Sequence, residues 1–243
     1  GRIFRNEGID AQHLQDYTQM EFYWAYADYE QLMEFARKMY QEVIQKVCGS
    51  LKTIYDGKEI NWAGEWPKVE YFEIFTKETG LDLAKVEIKD LKKKAQELGV
   101  KVEPTYGKGR IIDHIFKKAC LHKLVQPSFL VNPPVEVEPL AKRLPNNPER
   151  VQRMQIIACG TELGKGFSEL NDPLDQRARF EEQMKLREQG DKEAQRLDED
   201  YIEALEYGMP PTAGFGLSER LFAFLMDKPI RETVLFPAMR PRQ

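Results

Sequence analysis

Residues 18–28 read TQMEFYWAYAD, an aromatic run bounded by polar residues. The run predicts a β-strand, because aromatic side chains are enriched in strands and polar residues mark strand ends. Residues 2–7 alternate and predict a second, antiparallel strand. The polar segment 8–16 between them is too long for a tight hairpin turn. Because residues two apart on a strand share a face, we expect Glu21 to lie beside Tyr23.

Several amphipathic helices are predicted downstream by apolar residues that recur every three or four positions. The clearest covers 30–47 and stops at Gly49, and another covers 110–123. Asp172-Pro173 is a strong helix start, an N-cap residue followed by Pro at the first helical position. The remaining helices are predicted in pieces over 71–100, at 173–189, at 192–207 and around Leu221, Phe222 and Leu225.

The other strands are predicted to be short and separated by glycine or proline. They are expected at 127–134, at 153–160 and 165–171 around a glycine-containing turn, and at 233–236 before Pro237. Gly214-Phe215-Gly216 is interpreted as a turn that leads into a helix. Because strands and helices mix without regular alternation, we expect an α+β fold, an antiparallel sheet flanked by helices.

Composition narrows the possible functions. The 243 residues carry 36 basic and 40 acidic side chains, a net charge of -4. The length fits one large domain or two small ones. The charge gives no global attraction to nucleic acid, so any RNA contact would have to be local. No stretch approaches the ~18 apolar residues of a membrane span. Three cysteines without metal-ligand spacing favour a reducing cytoplasm.

Four segments together resemble one enzyme family. Phe4-Arg5-Asn6-Glu7-Gly8, followed by Met20-Glu21-Phe22-Tyr23, resembles motif 2 of the class II aminoacyl-tRNA synthetases. The stretch from Gly214 to Arg220, with Ile230-Arg231 to Phe236-Pro237, resembles motif 3. The runs GFSELNDP at 166–173 and LEYGMPPT at 205–212 resemble the lysine-specific members, the lysyl-tRNA synthetases.

The resemblance implies a fold and a domain organisation. Residues 1–243 are expected to be a partial class II catalytic domain, an antiparallel sheet with a helical shell that runs from motif 2 to motif 3. The family's anticodon-binding domain and its dimer-forming motif 1 are absent, so we expect this chain to be a piece of a longer protein. Family members are homodimers that act on lysine, ATP and tRNA(Lys).

The implied reaction joins two anions. The carboxylate of lysine attacks the α-phosphate of ATP, and the lysyl group then passes to tRNA. This chemistry needs positive charge and positioning more than acid–base groups. The resemblance assigns catalysis to Arg5, bridging carboxylate and α-phosphate, and to Arg220, holding the far end of ATP. Further ATP contacts are implied for Glu7 and Tyr17 at the adenine, His13 at the terminal phosphates, and Glu162, which would hold Mg²⁺.

The ε-ammonium of the substrate poses the opposite problem. A desolvated cation needs carboxylate and aromatic partners. The resemblance implies Glu169 and Tyr23 as these partners, with Phe167 against the aliphatic stem. Phe167 and Glu169 are two residues apart and share a strand face. Glu21 would take the α-amino group, and Arg5 would take the carboxylate.

The sequence departs from the family pattern at several positions. Gln155 stands where the family has a second metal-binding glutamate, and Lys165 stands where it has an asparagine near the substrate. Gln12 replaces an arginine, and motif 3 from Gly214 to Arg220 is one residue short. We therefore expect reduced or lost activity for this chain alone.

Two alternatives to a tRNA synthetase remain open. One is a related ligase that attaches lysine to a translation factor. The other is a lysine-binding or partner-binding module without aminoacylation, for which Gln155, Lys165 and the shortened motif 3 are the only support.

Overall fold

The computed structural model describes residues 1–5, 10–191 and 194–237, and every structural statement below concerns these residues. They form eleven strands and seven α-helices. The strands are β1 (Arg2–Phe4), β2 (Asp16–Ala25), β3 (Lys52–Tyr55), β4 (Lys58–Asn61), β5 (Lys68–Glu70), β6 (Ser128–Val131), β7 (Arg143–Leu144), β8 (Asn147–Val151), β9 (Arg153–Ala158), β10 (Thr161–Ser168) and β11 (Thr212–Ser218). The helices are α1 (Tyr29–Cys48), α2 (Tyr71–Thr79), α3 (Ile88–Glu97), α4 (Lys108–Ala119), α5 (Pro173–Glu188), α6 (Glu199–Glu206) and α7 (Arg220–Leu225).

Seven strands form the central sheet in the order β1-β2-β11-β10-β9-β6-β5. Every neighbouring pair is antiparallel except β5 and β6, which are parallel. Two small hairpins, β3–β4 and β7–β8, lie outside this sheet. The predicted α+β fold, an antiparallel sheet flanked by helices, is confirmed. Within the described ranges, no helix has both the length and the apolar character needed to cross a membrane.

The β9–β10 hairpin forms the middle of the sheet. Cys159 and Gly160 connect its strands and have φ angles of 47° and 66°. Two consecutive positive φ angles match the twist of antiparallel strands, and they explain the glycine predicted in this turn. A bulge between Glu162 and Gly164 then shifts the register of β10.

Helix α1 covers one face of the sheet. Asp28 caps its first turn through the amides of Glu30 and Gln31, and Gly49 ends it with a left-handed φ of 70°. A methyl group on Gly166 would lie only 2.6 Å from the Leu32 side chain and 2.7 Å from the Gly214 carbonyl oxygen. Glycine at this position therefore lets the helix pack closely on β10 and β11.

The face of the sheet opposite α1 is covered by helices only over β6 and β9. Helices α2 and α4 pack over β6 and β9 through a core that includes Phe75, Ile111, Ile115, Leu130 and Ile157. The surface of β2, β10 and β11 beyond these helices carries exposed and half-buried polar side chains. This uncovered part of the sheet holds the candidate site.

Three sequence predictions are wrong in detail. Residues 214–216 lie inside β11 and do not form a turn; glycines in a strand can instead mark a close approach of other groups. Residues 233–236 form bends, with Leu235 and Phe236 more than 90% exposed, so this apolar run pairs with no strand. The helix predicted at 192–207 begins only after Asp198, whose side chain caps it through the Tyr201 amide.

Removal of the buried Tyr40 hydroxyl would test the contact between α1 and the bulge of β10. It donates a 2.6 Å hydrogen bond to the Leu163 carbonyl. We expect Tyr40→Phe to lower the free energy of unfolding by roughly 1–3 kcal/mol, because the mutation removes a hydrogen bond to a buried acceptor. Urea unfolding measures this change. The control Tyr207→Phe, at a side chain 87% exposed, should stay within about 0.5 kcal/mol. Equal losses in the two variants would contradict the prediction.

Candidate active site

Strand register arranges the uncovered side chains into two rows. Phe22 and Phe215 point toward α1, with ring centroids 5.7 Å apart. Their neighbours along β2 and β11 therefore face the other way. The first row consists of Tyr23, Gly214, Phe167 and Arg153, and the second of Glu21, Gly216, Lys165 and Gln155. Strands far apart in the sequence thus contribute to one continuous surface.

Tyr23 and Glu21 lie together on this surface, as alternation along the strand predicts. The Tyr23 hydroxyl donates a 2.8 Å hydrogen bond to Glu21 Oε1, and the Gln19 amide donates to Glu21 Oε2 at 3.1 Å. Partial burial and the bonded Glu21 carboxylate raise the pKa of Tyr23. The hydroxyl therefore remains protonated and orients the glutamate.

Glu169 is buried beside the first row. Its backbone amide donates to the Thr212 carbonyl at 2.8 Å, which fixes the residue at the end of β10. A methyl group on Gly214 would lie only 2.0 Å from Glu169 Oε1 and 2.9 Å from the Tyr23 ring. Glycine at 214 therefore makes room for a carboxylate and a phenol over the sheet.

The Glu169 carboxylate is costly to ionise. Burial, with the nearby Glu138 and Glu21 carboxylates adding to it, raises the pKa of Glu169 to about 8, while Lys165 acts in the opposite direction. Among the described residues, none donates a hydrogen bond to this carboxylate. A group in this position gains stability from a ligand that brings a positive charge.

A buried ion cluster lies beside the rows. Glu138 Oε2 is 3.1 Å from Lys165 Nζ and 3.3 Å from Arg153 Nη1. Burial opposes ionisation of Glu138, but the two cations hold its pKa below the usual value. Sequence analysis missed Glu138, which follows a short 3₁₀ turn at Val135–Val137 and belongs to no recognisable motif. The cluster holds Lys165 close enough to Glu169 to lower the pKa of that carboxyl.

A second group of residues lies around Glu162. Gln155 donates a short hydrogen bond to the Glu162 carboxylate, and Arg153 donates to Gln155 Oε1 at 2.6 Å. The Arg220 guanidinium donates to the Glu162 carbonyl at 3.1 Å and to the Gln12 carbonyl at 3.0 Å. The structure thus brings Arg220 and Glu162 together with the loop before β2.

The same loop positions His13. Asp10 accepts hydrogen bonds from the backbone amides of Gln12 and His13, and its carboxylate is 2.9 Å from His13 Nδ1. Burial works against ionisation of Asp10, but the Gln12 amide and the His13 ring hold its pKa below the usual value. The loop is therefore shaped by one carboxylate.

The other residues predicted for the ATP end lie in different surroundings. Arg5 directly follows β1, its side chain is exposed, and its amide donates to the Gln15 carbonyl at 2.9 Å. Tyr17 is 9% exposed and packs in a small cluster with Leu14, Ala223 and Ile230. Glu7 lies outside the described residues.

Glu162 was the residue predicted to hold Mg²⁺. Across 1–5, 10–191 and 194–237, no three His, Cys, Asp or Glu side chains are grouped so that they could hold a metal ion. Mg²⁺ commonly binds through one or two carboxylates together with substrate phosphates and water. A single half-buried carboxylate fits an ion that arrives with a nucleotide, but the described residues form no all-protein metal site.

Comparison with known proteins identifies the class. The family model for class II tRNA synthetases (D, K and N) matches residues 1–240. The chain therefore belongs to the class II tRNA synthetase family, and its antiparallel sheet with a polar surface agrees with that membership.

Among individual proteins, the chain is similar to lysine–tRNA ligases. The chain is 42% identical to a lysine–tRNA ligase of Moorella thermoacetica over 100% of its own length and 50% of that protein. It is 44% identical to the Carboxydothermus hydrogenoformans lysine–tRNA ligase, covering 99% of this chain and 50% of that protein. For the Christiangramia forsetii lysine–tRNA ligase the identity is 41%, covering 99% and 42%. The chain spans about half the length of the curated relatives it matches. The resemblance to lysine-specific class II enzymes is confirmed.

The raised pKa of Glu169 predicts a pH-dependent stability. Its folded pKa of about 8 exceeds the usual 4.5, so the native state retains a proton that the unfolded chain releases between these values. Stability from this group therefore falls as pH rises from about 4.5 to about 8. We expect the advantage of Glu169→Gln over the parent protein to grow across this range and then level off.

Denaturant titrations at a series of pH values from about 5 to about 9 measure this effect. Glu149→Gln, which removes an exposed carboxylate, controls for the loss of one negative charge. A difference between Glu169→Gln and the parent that stays constant with pH would show that Glu169 does not hold its proton in the folded state.

Proposed function

We propose that this chain provides the catalytic part, from motif 2 to motif 3, of an ATP-dependent lysine–tRNA ligase. The observation that carries the proposal is the buried Glu169 carboxylate beside Tyr23 and Gly214, which receives no hydrogen bond from the described residues. A carboxylate in such a place is suited to an ammonium ion. The lysine–tRNA ligases among the relatives support lysine as the molecule that carries it.

Lysine recognition follows from the first row. Glu169 and Tyr23, which meet over Gly214, would bind the ε-ammonium, and Phe167 in the same row would contact the aliphatic stem. Glu21, oriented by the Tyr23 hydroxyl, would accept the α-ammonium. A site built around a buried carboxylate rejects isosteres that lack the ammonium, because the carboxylate would then stay unpaired.

The ATP end lies around Glu162 and Arg220. Arg5 would bridge the lysine carboxylate and the α-phosphate, Arg220 would bind the far end of ATP, and His13 the terminal phosphates. Glu162 would hold Mg²⁺, which supplies positive charge against the phosphates when bound. Glu7 and Tyr17 would contact adenine. Planar guanidinium groups suit this work because they grip carboxylate and phosphate in fixed geometry.

The complete reaction requires tRNA(Lys) as its third substrate. The lysyl group of the adenylate would pass to the terminal ribose of tRNA(Lys). Three free cysteines, with Cys48 exposed, support a reducing cytoplasm as the location.

Lysine-dependent exchange of pyrophosphate into ATP tests the activity. We expect exchange that requires lysine and Mg²⁺ and that falls roughly 10–100-fold in Glu169→Gln, because a hydrogen-bonded charge pair is worth about 1.5–3 kcal/mol. Glu149→Gln should exchange at the parental rate. Lysine binding without exchange would instead favour a lysine-binding module, and neither binding nor exchange would reject the proposal.

A methyl group added at Gly214 would test the lysine site by steric exclusion, without changing any charge. We expect Gly214→Ala to weaken lysine binding strongly, because the added methyl would lie 2.0 Å from Glu169 Oε1 and must displace that carboxylate. Gly216→Ala is a comparison in the same strand: its methyl would lie 3.2 Å from the movable Gln19 amide and should weaken lysine binding less. Calorimetric titration with lysine compares the two variants. Equal affinities would show that Glu169 is not part of the lysine site.

A further inference from the structure

A continuous chain of hydrogen bonds runs from the buried Glu138 to Glu162. Arg153 Nη1 lies 3.3 Å from Glu138 Oε2, and Arg153 Nη2 donates to Gln155 Oε1 at 2.6 Å. The Gln155 amide donates in turn to Glu162 Oε2. Gln155 therefore joins a buried arginine to the carboxylate that is proposed to hold Mg²⁺.

Arg153 determines how the Gln155 amide is oriented. A guanidinium donates hydrogen bonds and accepts none, so the amide oxygen must face it. The amide nitrogen, which carries the two donors, is then directed to Glu162. Arg153 is itself only 4% exposed and is anchored by Glu138, so it is held away from solvent. The protein interior thus sets the orientation of this amide.

The two oxygens of the Glu162 carboxylate consequently differ. Oε2 accepts the hydrogen bond from Gln155, whereas Oε1 receives none from the part of the chain that the structure describes. The residue as a whole is half-buried. Each carboxylate oxygen can accept about two contacts. One oxygen is therefore tied to the protein, and the other is available to a cation.

A neutral amide at position 155 holds Glu162 without adding charge. A carboxylate in the same place would repel Glu162 until a cation lay between them, because two like charges at hydrogen-bond distance disfavour each other. The contact made by Gln155 needs no cation. Glu162 is therefore held in one orientation whether or not a metal ion is bound.

We propose that Gln155, oriented by Arg153, is a positioning residue that fixes Glu162 before the complex of Mg²⁺ and nucleotide binds. The inference rests on the proposed function and deepens its ATP end. A side chain that is already fixed loses little rotational freedom on binding, which favours affinity. Gln155 acts on the nucleotide only through Glu162, so its effect depends on the presence of Mg²⁺.

Calorimetric titration of the purified protein with ATP, either with Mg²⁺ or with a chelator, tests the proposal. Gln155→Met keeps a similar side-chain length but removes the amide. We expect it to weaken ATP binding in Mg²⁺ roughly 3–10-fold, the range for one side chain that must be immobilised on binding, and to leave binding in the chelator within about twofold. Urea unfolding checks that each variant folds.

Gln155→Glu distinguishes positioning from a general structural role, because its expected effect has the opposite sign. The new carboxylate repels Glu162 and the phosphates in the chelator, but it gains a cation as partner in Mg²⁺. We expect the ratio of ATP affinities with and without Mg²⁺ to rise about tenfold above the parental ratio, whereas Gln155→Met lowers this ratio. Gln45→Glu, at an exposed position of α1, controls for the added charge and should leave the ratio unchanged.

Equal losses of ATP affinity in Gln155→Met and Gln155→Glu, with the parental response to Mg²⁺, would overturn the inference and leave Gln155 a structural part of the sheet. Parental binding in both variants would overturn it as well. A parent protein that binds ATP neither with Mg²⁺ nor with the chelator would instead reject the proposed function, which is distinct from ATP binding that is indifferent to Gln155.

Discussion

A carboxylate that is buried without a hydrogen-bond donor destabilises the folded protein whenever it ionises. Glu169 is such a group, and the surrounding sheet is arranged to accommodate it. Gly214 lacks the side chain that would collide with it, and Tyr23 presents a phenol beside it. A ligand that brings a positive charge offsets the free-energy cost of ionising Glu169. Selectivity for an ammonium thus begins with an interaction that the protein alone leaves incomplete.

The antiparallel register converts separate sequence segments into one surface. Glu21, Gly216, Lys165 and Gln155 come from four strands, yet alternation places them in a single row. The same alternation sends Phe215 and Phe22 to the core side of the sheet, beneath α1. Charge recognition and core packing are therefore two sides of the same strands.

Much of this organisation could be predicted from the sequence, because periodicity and caps are local. Helix α1 and the pairing of Glu21 with Tyr23 follow from patterns within a few residues. Glu138 could not be found, since only the folded chain brings it to Lys165. The strand character of Gly214 was also hidden, because glycine there serves a neighbour distant in sequence.

The partners of the central strands become available at very different times during synthesis. Phe22 of β2 pairs with Phe215 of β11, about 190 residues later. At roughly 5–20 residues per second, the ribosome takes on the order of 10–40 s to deliver that partner. Until then β2 lacks its β11 neighbour, although Phe35 of α1 is already available to pack against Phe22. The surface formed by β2, β11 and β10 can therefore be completed only after β11 has been synthesised.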